Sequence, residues 1–422
     1  MQNFVSRNVS VVDLTGDRVI KVIGTAPAPA PGSQEAQIAV GAEVFFSSRG
    51  HFTLGAARSS ERLSSEGWQS CSSCHFKGLT DGVVWEFNAG PRKSVPLNPT
   101  FDPRNRSIQR ILNYSAIFDE VQDFEANIRN VSGPGPLAAP APCASDATVP
   151  PSAQDPAHGL LISDKGAPDC APDVINTFAK PNAGRPQWNV TLPGSTRAIP
   201  ALDALNEWVR FAVRTPKAPY TTNRLPGRGV SAAQIAQGRG LFQAAGCASC
   251  HFGSTFTLSV KDFVSPPAAA ELATETNPAP PAGVTPVGAQ FLPRFLRDVG
   301  SFNLGVFGAG NPLGANIGAP EIATAALVNG VSQKPPVALG FDHNADGKGT
   351  GFNVPSLLGI NAVPPYMHNG ACETLACVVS DMKHRTANGK RPDAAANAQA
   401  QRLIVAYLQA IDGATPPLAA TP

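Results

Sequence analysis

The sequence predicts a mainly α-helical fold built in two similar halves, with long irregular loops and a short β-hairpin at the N-terminus. Each half contains an apolar stretch with helical spacing, the pentapeptide Cys-x-x-Cys-His, a segment rich in Gly and Pro, and a closing amphipathic helix. The 422 residues include 39 Gly and 41 Pro, and only 15% of them are charged, which is typical of a chain with much irregular backbone. This length is sufficient for two or three domains.

The N-terminal segment 9–24 alternates apolar and polar residues on both sides of a Thr-Gly-Asp turn, which predicts a β-hairpin. The segment resembles the closing hairpin of a YVTN-type β-propeller repeat, and an ordinary N-terminal hairpin is the alternative. The first ten residues lack the basic and apolar regions of a signal peptide. We therefore expect the chain to be truncated from a longer exported precursor, with an upstream β-propeller as a candidate partner.

The pattern of linkers and helices divides the chain into five regions. Helical periodicity is visible at 38–45, 108–131, 201–215, 231–246 and 394–411. The predicted regions are a hairpin at 1–24, a Pro/Ala linker at 25–35, a first domain at 36–225 with a Pro-rich insert, a second domain at 226–414, and a tail at 415–422.

The two pentapeptides are Cys71-Ser72-Ser73-Cys74-His75 and Cys247-Ala248-Ser249-Cys250-His251. This is the attachment pattern of c-type haem. Two thiols one helical turn apart add to the two vinyl groups of one porphyrin, and the adjacent His donates a nitrogen to the iron. A thioredoxin-like redox pair and half of a zinc site are the alternatives. Neither requires His after the second Cys, so we predict two covalently bound haem c groups in two cytochrome c-like domains.

Four cysteines remain outside the haem motifs. Sequence proximity pairs Cys143 with Cys170 and Cys372 with Cys377, and four reduced thiols are the alternative. Disulfides and haem c both indicate a periplasmic or extracellular location at the bacterial cell envelope. The net charge of +2 favours neither nucleic acid nor an anionic membrane, and no apolar run approaches the ~18 residues of a membrane span.

Longer segments around the motifs resemble the bacterial di-haem cytochrome c peroxidases and MauG-type proteins. In the first half these are GAEVFFSSRG, LSSEGWQSCSSCHFKGLTDG and AGPRKSVPL. In the second half they are GRGLFQAAGCASCHFG and GFNVPSLLGINAVPPYMHNGACETLACVVSDM. The resemblance covers roughly residues 36–412. It implies an oxidoreductase in which one haem collects electrons and the other reacts with H₂O₂ or O₂.

The second axial ligand determines what each haem can do, because an iron with an open face can bind peroxide or dioxygen. The resemblance places Met382 opposite His251 on the second iron, and Met367 is the alternative. At the first iron, where His75 is the proximal ligand, the corresponding stretch Phe76–Ala89 contains no His. We therefore expect the first haem to have an open face, with ligation from an unexpected part of the chain as the alternative. His51 is the only nearby His, and we interpret it as a surface or structural residue.

The chain departs from the family pattern around the first haem. Trp85 takes the position of the distal His, and its indole can donate a hydrogen bond but cannot bind iron. Phe118 or Tyr114 replaces the Trp that bridges the two haems in the family. The family's distal acid is absent, and the candidate replacements are Glu120, Asp123 and Glu125. The predicted catalytic set is therefore Trp85, Tyr114, Phe118 and Glu125.

Calcium is a weaker expectation. The family binds Ca²⁺ through an Asn after Gly-Pro-Arg, where this chain has Lys93. The segment Asp342–Gly347 matches the start of an EF-hand loop, but position twelve is Asn353 instead of Glu, so a polar turn is the alternative.

Two functions agree with these observations. The first is an enzyme of the cytochrome c peroxidase type, in which small redox proteins reduce the second haem and H₂O₂ or O₂ reacts at the first. The second is an electron-transfer cytochrome c module attached to a β-propeller, with both irons fully ligated. The missing distal His favours the enzyme, and the missing distal acid favours the carrier.

Overall fold

The computed structural model describes residues 7–48, 68–87, 90–110, 112, 114, 121–124, 189–192, 196–219, 230–257, 353–386 and 393–420. It also describes short strands at 2–3, 52–54, 57–58, 260–261, 327–328 and 331–332. The structural statements below refer to these residues.

The described fold is modestly helical. The α-helices are α1 (Gln34–Phe46), α2 (Cys71–Cys74), α3 (Ala201–Phe211), α4 (Ala232–Ala244), α5 (Leu375–Ser380), α6 (Met382–Arg385) and α7 (Ala398–Gln409). Single 3₁₀ turns span Phe76–Gly78, Val121–Phe124, Cys247–Ser249 and Ile360–Ala362. The described part of the chain thus has helices in both predicted halves, but less helix than the prediction of a mainly α fold implied.

Short antiparallel strands form five small sheets among the described residues. The strands are β1 (Gln2–Asn3), β2 (Asn8–Asp13), β3 (Arg18–Gly24), β4 (Phe52–Leu54), β5 (Ala57–Arg58), β6 (Val84–Phe87), β7 (Gly90–Lys93), β8 (Gln109–Arg110), β9 (Asn189–Thr191), β10 (Ala198–Pro200), β11 (Val260–Lys261), β12 (Leu327–Val328) and β13 (Val331–Ser332). The sheet orders are β1-β2-β3, β10-β9-β4-β5, β11-β8, β12-β13 and β6-β7.

Two compact units divide the chain, and they are not consecutive in sequence. The first combines residues of Met1–Ser73 with residues of Ala183–Ala212, and the second combines Cys74–Asp123 with Val213–Pro422. His75 and His251 therefore both belong to the second unit, although sequence analysis assigned them to different domains. The predicted boundary at residue 225 stays a prediction.

The N-terminal hairpin is confirmed. Strand β2 pairs with β3 in antiparallel register from Asn8↔Gly24 to Asp13↔Arg18, with an irregularity between Val11 and Val12. The Asp13 carboxylate accepts the backbone N–H of Thr15 and closes the turn. All of β3 is exposed, including its apolar side chains Val19, Ile20 and Val22.

In the first unit, α1 packs against α3 through a glycine. Ser33 caps α1 by accepting the N–H of Ala36. A Cβ atom at Gly41 would collide with the Ala204 carbonyl oxygen and with Trp208. The absence of a side chain therefore lets the helices approach closely, and Phe45 stacks on Trp208 with ring centroids 4.0 Å apart.

In the second unit, α4 packs against α7 in the same way. Ser231 and Gln234 form a capping box at the start of α4. A Cβ atom at Gly238 would collide with the Leu403 carbonyl oxygen and with Tyr407. Phe242 follows Gly238 by four residues, as Phe45 follows Gly41, and it packs edge-on to Tyr407 at 5.5 Å. The repeated Gly and Phe positions agree with the predicted duplication.

The predicted helix at 108–131 is wrong at its start. Gln109 and Arg110 form β8, which pairs with Val260–Lys261, and the Arg110 N–H donates to the Thr100 carbonyl at 2.9 Å. Pairing with strands distant in sequence outweighs the local helical periodicity here. Of the rest, Val121–Phe124 is one 3₁₀ turn, and 125–131 lies outside the described residues.

Cys372 and Cys377 form the predicted disulfide, with their Cα atoms 5.4 Å apart. It lies beside α5, which Thr374 caps by accepting the N–H of Cys377. The predicted Cys143–Cys170 pair lies outside the described residues. Across the described part of the chain, no helix has the length and apolar character needed to cross a membrane.

Candidate haem sites

The first Cys-x-x-Cys-His motif places its cysteines at the two ends of the single-turn helix α2. The following His75 directs its ring Nδ1–H to the carbonyl oxygen of Val95, 2.9 Å away. The bond fixes the ring, and it leaves Nε2 as the nitrogen with a free lone pair. A histidine that binds iron needs this tautomer, because Nε2 must be unprotonated to donate electrons.

The second motif follows a left-handed residue, Gly246, whose φ of 76° strongly favours glycine. Cys247–Ser249 then form a 3₁₀ turn, and His251 is buried. The His251 Nδ1–H donates to the Phe256 carbonyl oxygen at 3.3 Å. Both motifs therefore present a histidine in the same tautomer, held by a backbone carbonyl that follows it in sequence.

The thiols do not have the properties of a thioredoxin-like redox pair. Burial raises the pKa of Cys247 to about 12, and burial together with the charge of Asp81 raises the pKa of Cys74. A reactive dithiol needs at least one thiolate at neutral pH, which requires a lowered pKa. All four motif cysteines are free of disulfides and partly buried. This arrangement fits thiols held for attachment to a cofactor.

A cavity opens above His251 within the second unit. The empty space inside it is about 950 Å³, including the solvent at its mouth. Leu, Val, Ile and Pro side chains form most of its wall, together with His251, Tyr114 and the buried cation Arg110. A mostly apolar cavity with a few placed polar groups is typical of a cofactor site. The lining therefore suits an apolar cofactor that reaches His251.

Three further His and Met side chains line this cavity, namely Met367, His368 and His384. Met382 does not line it: its side chain is 65% exposed at the start of α6. Helix α5 ends at Ser380, and its C-cap residue Asp381 has extended backbone between α5 and the Met382 that begins α6. The ligation of iron by Met382 stays a prediction, and Met367 and His384 compete with it.

The predicted catalytic residues of the first site lie in different places. Trp85 lies on β6, where its indole N–H donates to Asp81 at 2.9 Å and the side chain is 37% exposed. Tyr114 lines the His251 cavity, with its ring centroid 6.4 Å from that of His368. Phe118 and Glu125 lie outside the described residues.

Lys93 occupies the position where the family pattern has a calcium ligand. Its ammonium donates to the carbonyl oxygens of Val363 and Pro365, each 2.6 Å away, and it is buried. Carbonyl oxygens of this kind are also ligands for Ca²⁺, so the lysine places its own cation where a metal ion would compete. Among the described residues no group of three His, Cys, Asp or Glu side chains could share a metal ion. The segment Asp342–Gly347 lies outside those residues.

Three residues of the cavity wall are not predicted from the sequence. Arg110 falls in the predicted helix at 108–131, Lys93 is interpreted only at the calcium position, and no role is predicted for His384. All three line the cavity. A signal was present for Arg110: a basic residue among apolar neighbours in the segment SIQRILNY.

Comparisons with known proteins give distant likenesses only. No protein-family model matches the chain, and no curated protein matches it. A crystal structure of a MauG-like protein associated with microbial copper homeostasis is similar at 17% identity with a TM-score of 0.42, covering 92% of this chain and 91% of that one. Hydrazine synthase of Kuenenia stuttgartiensis, from a crystal pressurised with xenon, is similar at 17% identity with a TM-score of 0.38, covering 93% and 99%.

Proposed function

We propose that this chain is a di-haem c-type redox protein. A haem on Cys247, Cys250 and His251 takes up electrons, and a haem on Cys71, Cys74 and His75 reacts with H₂O₂ or O₂. The observation that carries the proposal is the shared state of the two motif histidines, each with Nδ1–H bound to a backbone carbonyl and Nε2 left to bind iron. The bound haem would supply one-electron chemistry and, where a face is open, oxygen or peroxide chemistry.

The residues of the chain would then hold, orient and insulate the two haems. The carbonyls of Val95 and Phe256 fix the planes of the two imidazoles. The apolar wall around His251 excludes water, which favours fast electron uptake with little solvent rearrangement. Met382 remains the candidate second ligand of this iron from sequence, and small redox proteins are the proposed electron donors.

The open face of the first haem follows from the sequence, because no His or Met lies between His75 and Tyr114. Trp85, held by Asp81, would border this face, with Tyr114 or Phe118 on the path between the haems. Cleaving an O–O bond needs a proton donor, and Glu125 is the candidate. Loss of one general acid slows such a step by roughly 10²–10⁴-fold, so Glu125→Gln should reduce peroxide turnover by that factor.

Haem stoichiometry with reductive titration tests the proposal. The intact protein should contain two thioether-linked haems that survive denaturing electrophoresis and should accept two electrons per chain. The Cys71→Ala/Cys74→Ala variant should retain one haem and accept one electron. The control Cys372→Ala/Cys377→Ala, which removes only the disulfide, should retain both. Two haems in the first variant would refute the assignment.

An electron-transfer module attached to a β-propeller is the second candidate. The exposed apolar side chains of β3 favour it, because a hairpin with Val19, Ile20 and Val22 in solvent suits a strand that continues a larger sheet. In this case both irons would be fully ligated. Attachment of haem c implies export, so either function belongs in the periplasm or outside the cell.

A further inference from the structure

The wall of the His251 cavity has an unusual charge distribution. It contains the basic side chains of Lys93 and Arg110, and none of the described residues that line it is Asp or Glu. Burial lowers the pKa of His368 in the same wall, and the nearby cation Arg92 lowers it further. The cavity is therefore apolar over most of its surface and electropositive at one side.

The unusual feature of this wall is the burial of the charged Arg110 side chain. It is only 4% exposed, and its backbone is fixed in β8 by Val260 and by the Thr100 carbonyl. Burial lowers the pKa of Arg110 to about 10, so the side chain still carries its charge at neutral pH. Its Nε–H has no acceptor among the described residues. A buried charge in this state is costly unless a ligand neutralises it.

Among the residues that the structure describes, the side chains beside Arg110 do not supply that neutralisation. Tyr114 is the group that interacts with Arg110, but burial raises the pKa of Tyr114 well above its usual value, so it is a neutral phenol. Lys93 is another cation, and its ammonium is already bound to two carbonyls. Within the described part of the chain, the Arg110 guanidinium thus lines the cavity without an anionic partner.

The chemistry of the wall defines the missing ligand. A planar guanidinium prefers a carboxylate, which accepts two parallel N–H bonds. The remaining wall suits a large apolar body, and the Nε2 atom of His251 can bind a metal at the centre of that body. A molecule with an apolar ring, a central iron and carboxylates on one edge meets all three requirements, and haem has two propionates on one edge.

We infer that Arg110 anchors a propionate of the haem bound at His251 and sets the orientation of that haem in the cavity. The inference depends on the proposed function, because it requires haem at Cys247 and Cys250. The positive charge also raises the reduction potential of this haem, since a nearby cation stabilises the reduced form, which carries one more electron. Arg110 would therefore help to make the second haem the electron-accepting one.

The test substitutes Arg110 in a variant that contains only the haem at His251. In the Cys71→Ala/Cys74→Ala background, Arg110→Gln should lower the reduction potential by about 59 mV, a tenfold change in the reduction equilibrium constant. It should also shift the propionate bending mode in the resonance Raman spectrum. Arg110→Lys, which keeps the charge without the paired geometry, should preserve most of the potential but shift the Raman mode. The control Arg402→Gln, on the exposed face of α7, should change neither.

The outcomes separate this inference from the proposed function. If the single-haem protein contains no haem at Cys247 and Cys250, the proposed function fails. If haem is present but Arg110→Gln matches Arg402→Gln in potential and Raman spectrum, only the role of Arg110 fails. If Arg110→Gln does not fold, the unsubstituted single-haem protein decides: a propionate mode that shifts in D₂O supports the N–H···O bond, and an insensitive mode refutes the inference.

Discussion

At the scale of single residues, the iron proposed at His251 has three candidate sixth ligands. Met367 and His384 line the His251 cavity, whereas Met382 is exposed. Methionine ligation gives a sulfur-to-iron charge-transfer band and a higher potential than histidine ligation. If Met382 binds the iron, Met382→Ala abolishes this band, and α6 must rotate when haem is attached.

The matched variants Met367→Ala and His384→Ala identify the ligand in the remaining cases. If only Met367→Ala abolishes the band, then Met367 is the ligand, and the family resemblance points to the wrong methionine. If the unsubstituted protein lacks the band, and only His384→Ala changes its spectrum, then the iron has two histidine ligands. Near-infrared absorption and the reduction potential of the second haem measure all three outcomes.

The free energy of unfolding should depend on pH through the buried Lys93. Burial lowers its pKa to about 7 from the ordinary 10.5, although the charge of Asp81 acts in the opposite direction. The unfolded chain retains this proton up to about pH 10.5, so it binds more protons than the folded chain between the two values. The free energy of unfolding should therefore rise with pH in this window, by up to about 1.4 kcal/mol per pH unit from this group.

Lys93→Met removes the titrating group, so its slope between pH 7.5 and 9.5 should be smaller than that of the unchanged protein. Urea denaturation at several pH values measures both slopes, and the exposed Lys77→Met variant provides the control. Equal slopes in all three proteins would mean that Lys93 keeps its ordinary proton affinity in the fold.

The proposed covalent haem residues come from the sequence alone, because Cys-x-x-Cys-His is a local pattern with a fixed chemical purpose. The sequence could not predict the cavity wall. Lys93 and Arg110 line the same cavity as His251, although more than 100 residues separate each of them from His251 in the sequence. The position of Met382 depends on the turn at Asp381, which has no sequence signal of comparable strength.

At the scale of elements, the close packing of α1 on α3 and of α4 on α7 depends on one glycine in each pair. Gly41→Ala and Gly238→Ala would force a Cβ atom into the backbone of the facing helix. Overpacking of this kind costs about 1–3 kcal/mol of stability. Gly240→Ala is the matched control on α4, because no atom lies within contact distance of its Cβ position, and it should be neutral or stabilising by about 0.5–1 kcal/mol.

The denaturation midpoints of the three variants measure these effects. If Gly238→Ala unfolds at the same midpoint as Gly240→Ala, then α4 and α7 do not pack as described.

Sequence periodicity identified α1, α3, α4 and α7, since their caps and apolar faces are local features. It failed at β8, where pairing with β11 determines the conformation. A two-residue strand has no periodicity of its own, so such elements are not predictable from local pattern.

At the scale of the whole molecule, the two motif histidines differ in the residues that surround them. His251 lies in a cavity with further His and Met side chains, whereas the 38 residues between His75 and Tyr114 contain neither His nor Met. One iron would then have six ligands and the other five. A protein of this kind can store an electron at one site and activate a small molecule at the other.

We therefore expect the oxidised protein to give a high-spin electron paramagnetic resonance signal from about half of its iron. One equivalent of cyanide per chain should convert this signal to low-spin. The Cys71→Ala/Cys74→Ala variant should lose both the high-spin signal and cyanide binding, because it lacks the haem of His75. The reciprocal Cys247→Ala/Cys250→Ala variant should retain both. Two low-spin irons in every redox state, without cyanide binding, would exclude the peroxide- or oxygen-reactive site and leave the electron carrier, because a reactive iron needs one coordination position open.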